Sequence, residues 1–173
     1  MPDPAAADLP AAAARGAEPL LAALAARYLT LGYDDAPGTA SANALRAVMQ
    51  AHLDLGRQRA PGVTHTRARQ VQVQGAAGFC ALDVVTDDGP FLLDSLVMAL
   101  TGEGLRPLAV AHPELRVLRD AGGRLTDVDG ASAQGTPEAW LHVELPPAAA
   151  PRLAHLETLA QQVIAQAHSV AAD

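Results

Sequence analysis

Lysine is absent from this 173-residue sequence; all twelve basic residues are arginines. That absence excludes a Walker A phosphate loop, which needs a Gly-Lys-Ser/Thr ending, and a Schiff-base lysine. It also speaks against a phosphoryl-acceptor site, where a lysine would stand beside the acidic cluster. Cysteine occurs once, at Cys80, so no internal disulfide can form and a reducing compartment fits best. Aromatic residues make up 3% of the chain, so the core has to be built mainly from Leu, Val and Ala. No basic run interleaves with aromatics and the formal net charge is −7, which argues against nucleic acid as a partner. No strand is followed by a G-x-G-x-x-G dinucleotide fingerprint. The longest apolar stretch near the N-terminus, "PLLAALAARYLTLGY", is interrupted by Arg27 and is too short to span a bilayer. No basic segment precedes it, so it does not read as a signal peptide, and a cytoplasmic protein without membrane contact is expected.

What is present divides the chain into three parts. Residues 1–17 are low in complexity and lack apolar periodicity, which predicts a mobile tail. Residues 18–62 predict a helical pair. Leu20, Leu21, Leu24, Tyr28 and Leu31 share a stripe that Gly32 stops. Ser41 is placed to cap a second helix that runs to about Arg59, with Leu45, Val48, Met49, His52 and Leu53 on one side. Beyond residue 62 the period changes to two. Residues 67–74 alternate as a strand, "GAAG" makes a hairpin-length turn, and "FCALDVV" is apolar on both faces, which predicts a central strand. Leu93, Leu96, Val97 and Leu100 mark a helix. The strand phase slips at His112-Pro113, predicting a bulge or bend and an edge strand. "LTDV" pairs briefly, residues 129–138 read as a loop, "WLHVEL" is the last strand, and a helix runs from about Arg152 to Ala167. The order amounts to a ferredoxin-like βαββαβ unit without its final strand. The strand at 67–74 is expected to take the vacant edge position. The predicted fold is α+β: an antiparallel sheet with two helices on one face, and the N-terminal helical pair over the other.

The stretch "DVVTDDGPFLLDS" raises a choice. Asp87 and Asp88, with Asp94, could hold a divalent cation at the end of a strand, as in a small metal-dependent enzyme. Alternatively Asp88 caps the following helix, with Pro90 in its first turn and Asp87 favouring its positive end, each carboxylate worth about 0.5–1 kcal/mol. The capping reading fits the spacing better, and no metal ligand is assigned.

The same residues carry a resemblance. Strand, Asp-x-Pro-x-Leu-Leu, amphipathic helix, Gly-Leu and strand resembles an ACT domain, the small-molecule regulatory module of amino-acid metabolism. More narrowly, Thr86–Ser95, His112–Leu125 and Trp140–Glu144 occur in the order seen in the N-terminal region of the large NAD-specific glutamate dehydrogenases. The resemblance implies a non-catalytic regulatory or assembly segment, with NAD a cofactor of the parent enzyme and not of this segment. Its partner would be the rest of the parent chain, with an amino acid as a possible effector. Asp87, Asp88, Gly89, Pro90 and Phe91 form the candidate small-molecule or interface loop. Amino-acid-binding ACT domains commonly carry glycine where Phe91 stands, and Phe91 would fill that ligand space. A purely structural interaction module is the remaining alternative.

Other polar residues have plainer expectations. His112, His142 and Glu144 lack metal-ligand spacing and read as satisfied or solvated groups. Cys80 reads as a small buried apolar residue. Arg116 and Arg119 read as charges on a solvated edge.

Overall fold

The computed structural model describes residues 9–28, 41–129 and 134–173. Among the described residues, three helices come first: α1 (Leu9–Ala14), α2 (Pro19–Tyr28) and α3 (Ala42–Gly56). Of the tail expected at 1–17, residues 1–8 lie outside the described residues and Leu9–Ala14 form helix α1. Its alanines are strong helix formers, and Ala13 is buried in the core that α2 and α3 also build. The expected stripe on α2 is real at Leu21, Leu24 and Tyr28, whereas Leu31 lies outside the described residues. Ser41 caps α3 as the sequence predicts, its hydroxyl accepting from the amide of Ala44 at 3.1 Å. The helix stops at Gly56 rather than Arg59, because Gln58 leaves it to form a β-bridge with Arg124.

The sheet contains β1 (His65–Val71), β2 (Phe79–Asp87), β3 (Ala109–Ala111), β4 (Glu114–Arg119), β5 (Leu125–Val128) and β6 (Thr136–Leu145). Its order is β1-β2-β6-β4-β5, with β3 also on β6, and every pairing is antiparallel. Strand β1 occupies the edge beside β2, where the truncated ferredoxin-like order requires a partner. Between β3 and β4 the chain breaks at His112-Pro113, where the phase slip predicts it. The edge expected in that region holds for β3, which pairs with β6 alone, but not for β4, which lies between β6 and β5. Residues 136–138, read as loop, extend β6; pairing with both β2 and β4 outweighs the weak strand propensity of Thr-Pro-Glu.

Helix α4 (Leu92–Gly102), a 3-10 turn at Pro147–Arg152, and helix α5 (Leu153–Ala172) complete the fold. Alternation along β2 sorts its side chains onto two faces. Cys80, Leu82 and Val84 meet Leu96 and Leu100 of α4 and Leu156, Ala160 and Ile164 of α5. Phe79, Ala81 and Val85 meet the residues of α1–α3. The result is a sheet between two helical layers. Helix α5 also shields the free edge of β1. Glu157 Oε1 accepts the Ala68 amide at 2.7 Å, and Gln161 Nε2 donates to the Thr64 carbonyl at 2.8 Å. Such cover removes the unpaired groups through which exposed edges aggregate.

Candidate functional site

The acidic loop leaves the end of β2 and enters α4, and its carboxylates do separate jobs. Asp87 Oδ1 lies 2.9 Å from Arg59 Nη1, and Oδ2 accepts the Gly62 amide at 2.9 Å. Asp87 therefore ties the segment after α3 to the end of β2. Asp88 is exposed and accepts the amide of its own neighbour, Gly89. It does not cap α4. The N-cap position belongs to Phe91, three residues later, because the turn through Pro90 and Phe91 delays the helix until Leu92. Phe91 has φ 62° and makes no side-chain cap. Asp94 is exposed in the first turn of α4. The three carboxylates thus do not converge. Among the described residues, no three His, Cys, Asp or Glu side chains gather in a way that could hold a metal ion.

The Arg59 side chain is only 2% exposed, and its guanidinium reaches Glu138 as well as Asp87. Glu138 is the centre of a clamp. Its Oε1 accepts from Arg59 Nη2 at 2.7 Å and Arg119 Nε at 2.8 Å, and its Oε2 accepts from Arg119 Nη2 and Trp140 Nε1, each at 3.0 Å. Burial raises the pKa of Glu138, but the hydrogen bonds from Arg119 and Arg59 outweigh it and hold the group below its ordinary value. Arg119 is consequently neutralised inside the sheet rather than solvated at an edge. Arg116 donates from Nη1 to the Gly135 carbonyl at 2.9 Å.

A second polar chain lies under α2 and α3. The β2–β6 register places His142 opposite Asp83, and Glu144 follows two residues later on the same face. His142 Nδ1 is 2.5 Å from Asp83 Oδ1, and its Nε2 is 2.9 Å from Glu144 Oε2. Both ring nitrogens face carboxylates, an arrangement that suits an imidazolium donating from both. Burial would push its pKa down, but the Asp83 charge and the hydrogen bonds to Asp83 and Glu144 raise it to about 9. Asp83 shows the converse: burial raises its pKa, while the charge of His142 and the hydrogen bond from it bring the balance below the ordinary value. His52 is neutral, its pKa lowered by burial. Its Nε2 donates to the Val84 carbonyl at 3.0 Å, so its Nδ1 is free to accept the Tyr28 hydroxyl proton at 2.6 Å. From the sequence, His142 and Glu144 read as satisfied or solvated groups and Tyr28 and His52 as members of apolar helix faces; what the pattern does not reveal is that Asp83 joins them. One signal was present: Asp83 lies in a strand apolar on both faces, where a charge needs a buried partner. His112 lies elsewhere, half-buried in a surface hollow with Arg27, Asp88 and Asp129. Cys80 is buried, and burial raises its thiol pKa.

The opposite side of the acidic loop is apolar. Phe91, Met98 and Ala99 form one wall of a groove of about 540 Å³, and Val163, Ala167 and Val170 form the other. Phe91, Met98 and Val170 are 73%, 74% and 69% exposed. The loop is seated against α5: a Cβ on Gly89 would lie 3.2 Å from His168 Nδ1, and His168 Nε2 is 3.1 Å from Thr86 Oγ1.

These features define an ACT-like α+β domain whose ionic groups hold its layers together and whose exposed apolar surface lies beside the acidic loop. Residues 24–163 match the family described as "Glutamate dehydrogenase, ACT1 domain", and the chain belongs to that family. A curated relative, the NAD-specific glutamate dehydrogenase of Mycobacterium tuberculosis (strain ATCC 25618 / H37Rv), is 36% identical over 133 residues. The match covers 73% of this chain and 8% of the relative, so the chain spans a small part of that protein's length. No solved structure matches. Among the described residues, no helix is long and apolar enough to cross a membrane.

Proposed function

We propose that this chain is a non-catalytic regulatory and assembly domain of an NAD-specific glutamate dehydrogenase. The parent enzyme would convert L-glutamate and NAD to 2-oxoglutarate, ammonia and NADH in the cytoplasm. The observation that carries the reading is the division of labour around residues 87–91. Asp87 is tied to Arg59 and Gly62, while Phe91 stands exposed beside an apolar groove. Such a surface suits a protein partner better than a reaction. An amino-acid effector fits it poorly, because no arginine or histidine lines the groove to receive a carboxylate. The purified 173-residue chain should produce no NADH from glutamate and NAD. In the longer polypeptide, Met98→Glu should alter assembly or its coupling to turnover while leaving the chemical step itself intact. Glutamate-dependent NADH formation by residues 1–173 alone would overturn the proposal.

A further inference from the structure

We infer that the groove between α4 and α5 receives an amphipathic helix, apolar along one stripe and flanked by arginine or lysine, supplied by another part of the dehydrogenase polypeptide. The inference rests on the assembly reading and gives that partner its chemistry. Helix α5 supplies the first argument. Its apolar stripe runs through Ala160, Val163, Ala167 and Val170 at intervals of three or four. Ile164 is the last buried residue, yet the helix continues to Ala172. The stripe thus outlasts the core that it covers. On α4, Met98 extends the same apolar surface, and Phe91 is held in a left-handed conformation unfavourable for a bulky residue while remaining exposed.

The backbone argues for a helix. Both walls are helices, whose main-chain groups bond within their own turns, so the groove offers no ladder to a strand. An apolar partner here must satisfy its own backbone, and a helix does so. Charge selects among helices. Asp94 is exposed in the first turn of α4, next to Ser95 of the groove wall, Asp173 follows the end of α5, and no basic residue lines the space. Asp94 lies four residues before Met98 on α4, one turn away from that groove-lining side chain. An acidic rim favours basic residues on the partner. It disfavours anionic lipid, and it disfavours a second copy, which would bring its own Asp94 against this rim and has a formal charge of −7.

Met98 is a built-in reporter, because an exposed thioether oxidises readily and a covered one does not. Peroxide oxidation followed by mass spectrometry should show Met98 reacting about tenfold more slowly in the longer polypeptide than in the 173-residue chain, a ratio that corresponds to about 1.4 kcal/mol of protection. Asp94→Arg in the longer polypeptide should restore most of the reactivity. Asp54→Arg, on α3 across the sheet, should not. Met98 equally reactive in both proteins overturns the groove; if other surfaces become protected, the assembly reading survives, and if none does, both fall. Protection that Asp94→Arg leaves unchanged overturns the basic partner. Protection that appears in the 173-residue chain as its concentration rises identifies a second copy instead.

Discussion

Asp83 Oδ1 and His142 Nδ1 lie 2.5 Å apart on adjacent strands, beneath the helices that cover the sheet. Both side chains are almost wholly shielded, at 1% and 0% exposure. In such surroundings a charge without a partner is expensive, and neither group can change protonation alone without affecting the fold.

Stability should therefore fall on the alkaline side. The pKa of His142 is raised from its ordinary 6.5 to about 9. A raised folded-state value contributes stability that is complete below pH 6.5 and is lost as pH passes through 9. A shift of this size is worth about 3 kcal/mol, of which about 2 should vanish between pH 7 and 9.5. Asp83, with its pKa lowered, contributes the opposite limb, lost at acid pH. Urea titrations across the alkaline range would measure the slope, and His142→Gln should flatten it. An unchanged midpoint from pH 7 to 9.5 would show that the imidazolium is not buried.

Asp83→Ala should destabilise the chain by about 3–5 kcal/mol, because it leaves the His142 cation buried with one carboxylate partner fewer. Chemical denaturation would measure this. A loss below about 1 kcal/mol is the range of a solvent-exposed pair and would contradict the described burial.

Gly56→Ala sets two effects against each other. Alanine favours a helix over glycine by about 1 kcal/mol. At this position, however, a Cβ would lie 2.5 Å from Trp140 Cζ2, inside the contact distance of a rigid ring. Overpacking of this kind typically costs about 1–3 kcal/mol. The variant should be less stable, and a rise in melting temperature would show that Trp140 moves aside.

Phe91→Gly should stabilise the isolated chain slightly. The left-handed backbone at φ 62° costs a non-glycine residue about 1–2 kcal/mol, while the greater freedom of glycine when unfolded returns about 0.5–1. Little burial is lost, because the side chain is 73% exposed. A gain of up to about 1 kcal/mol is expected by thermal denaturation. A clear loss would mean that Phe91 packs on the groove more tightly than its exposure indicates.

Asp88→Ala should leave stability within about 0.5 kcal/mol, the usual range for an exposed surface change. The capping reading requires a loss of about 1 kcal/mol. Calorimetry separates the two, and the larger loss would place the start of α4 nearer to Asp88.

Local signals carried much of the fold. Ser41 announces α3 because a side-chain cap acts within three residues. The alternation in β2 identifies both its faces, and the slip at Pro113 marks the break between β3 and β4, since proline withdraws a ladder donor wherever it stands. Beginnings and ends were less legible. The acidic pair before α4 has the composition of a cap, but the number of residues used by the Pro90-Phe91 turn depends on where β2 and α5 hold the loop.

The amino-acid order by itself determined the sheet with two helices on one face, the extra strand that completes its edge, and the dehydrogenase resemblance, because these follow from periodicity and from contiguous motifs. Tertiary structure alone decided what the charges do. Asp83 and His142 are 59 positions apart, as are neither hydrophobic stripe nor cap. Arg59 and Glu138 are 79 apart. Such pairs leave no periodic trace, since each needs only one residue in the right register on each element. Strand pairing creates that register, and burial then turns an ordinary aspartate, histidine or arginine into a fixed ionic joint.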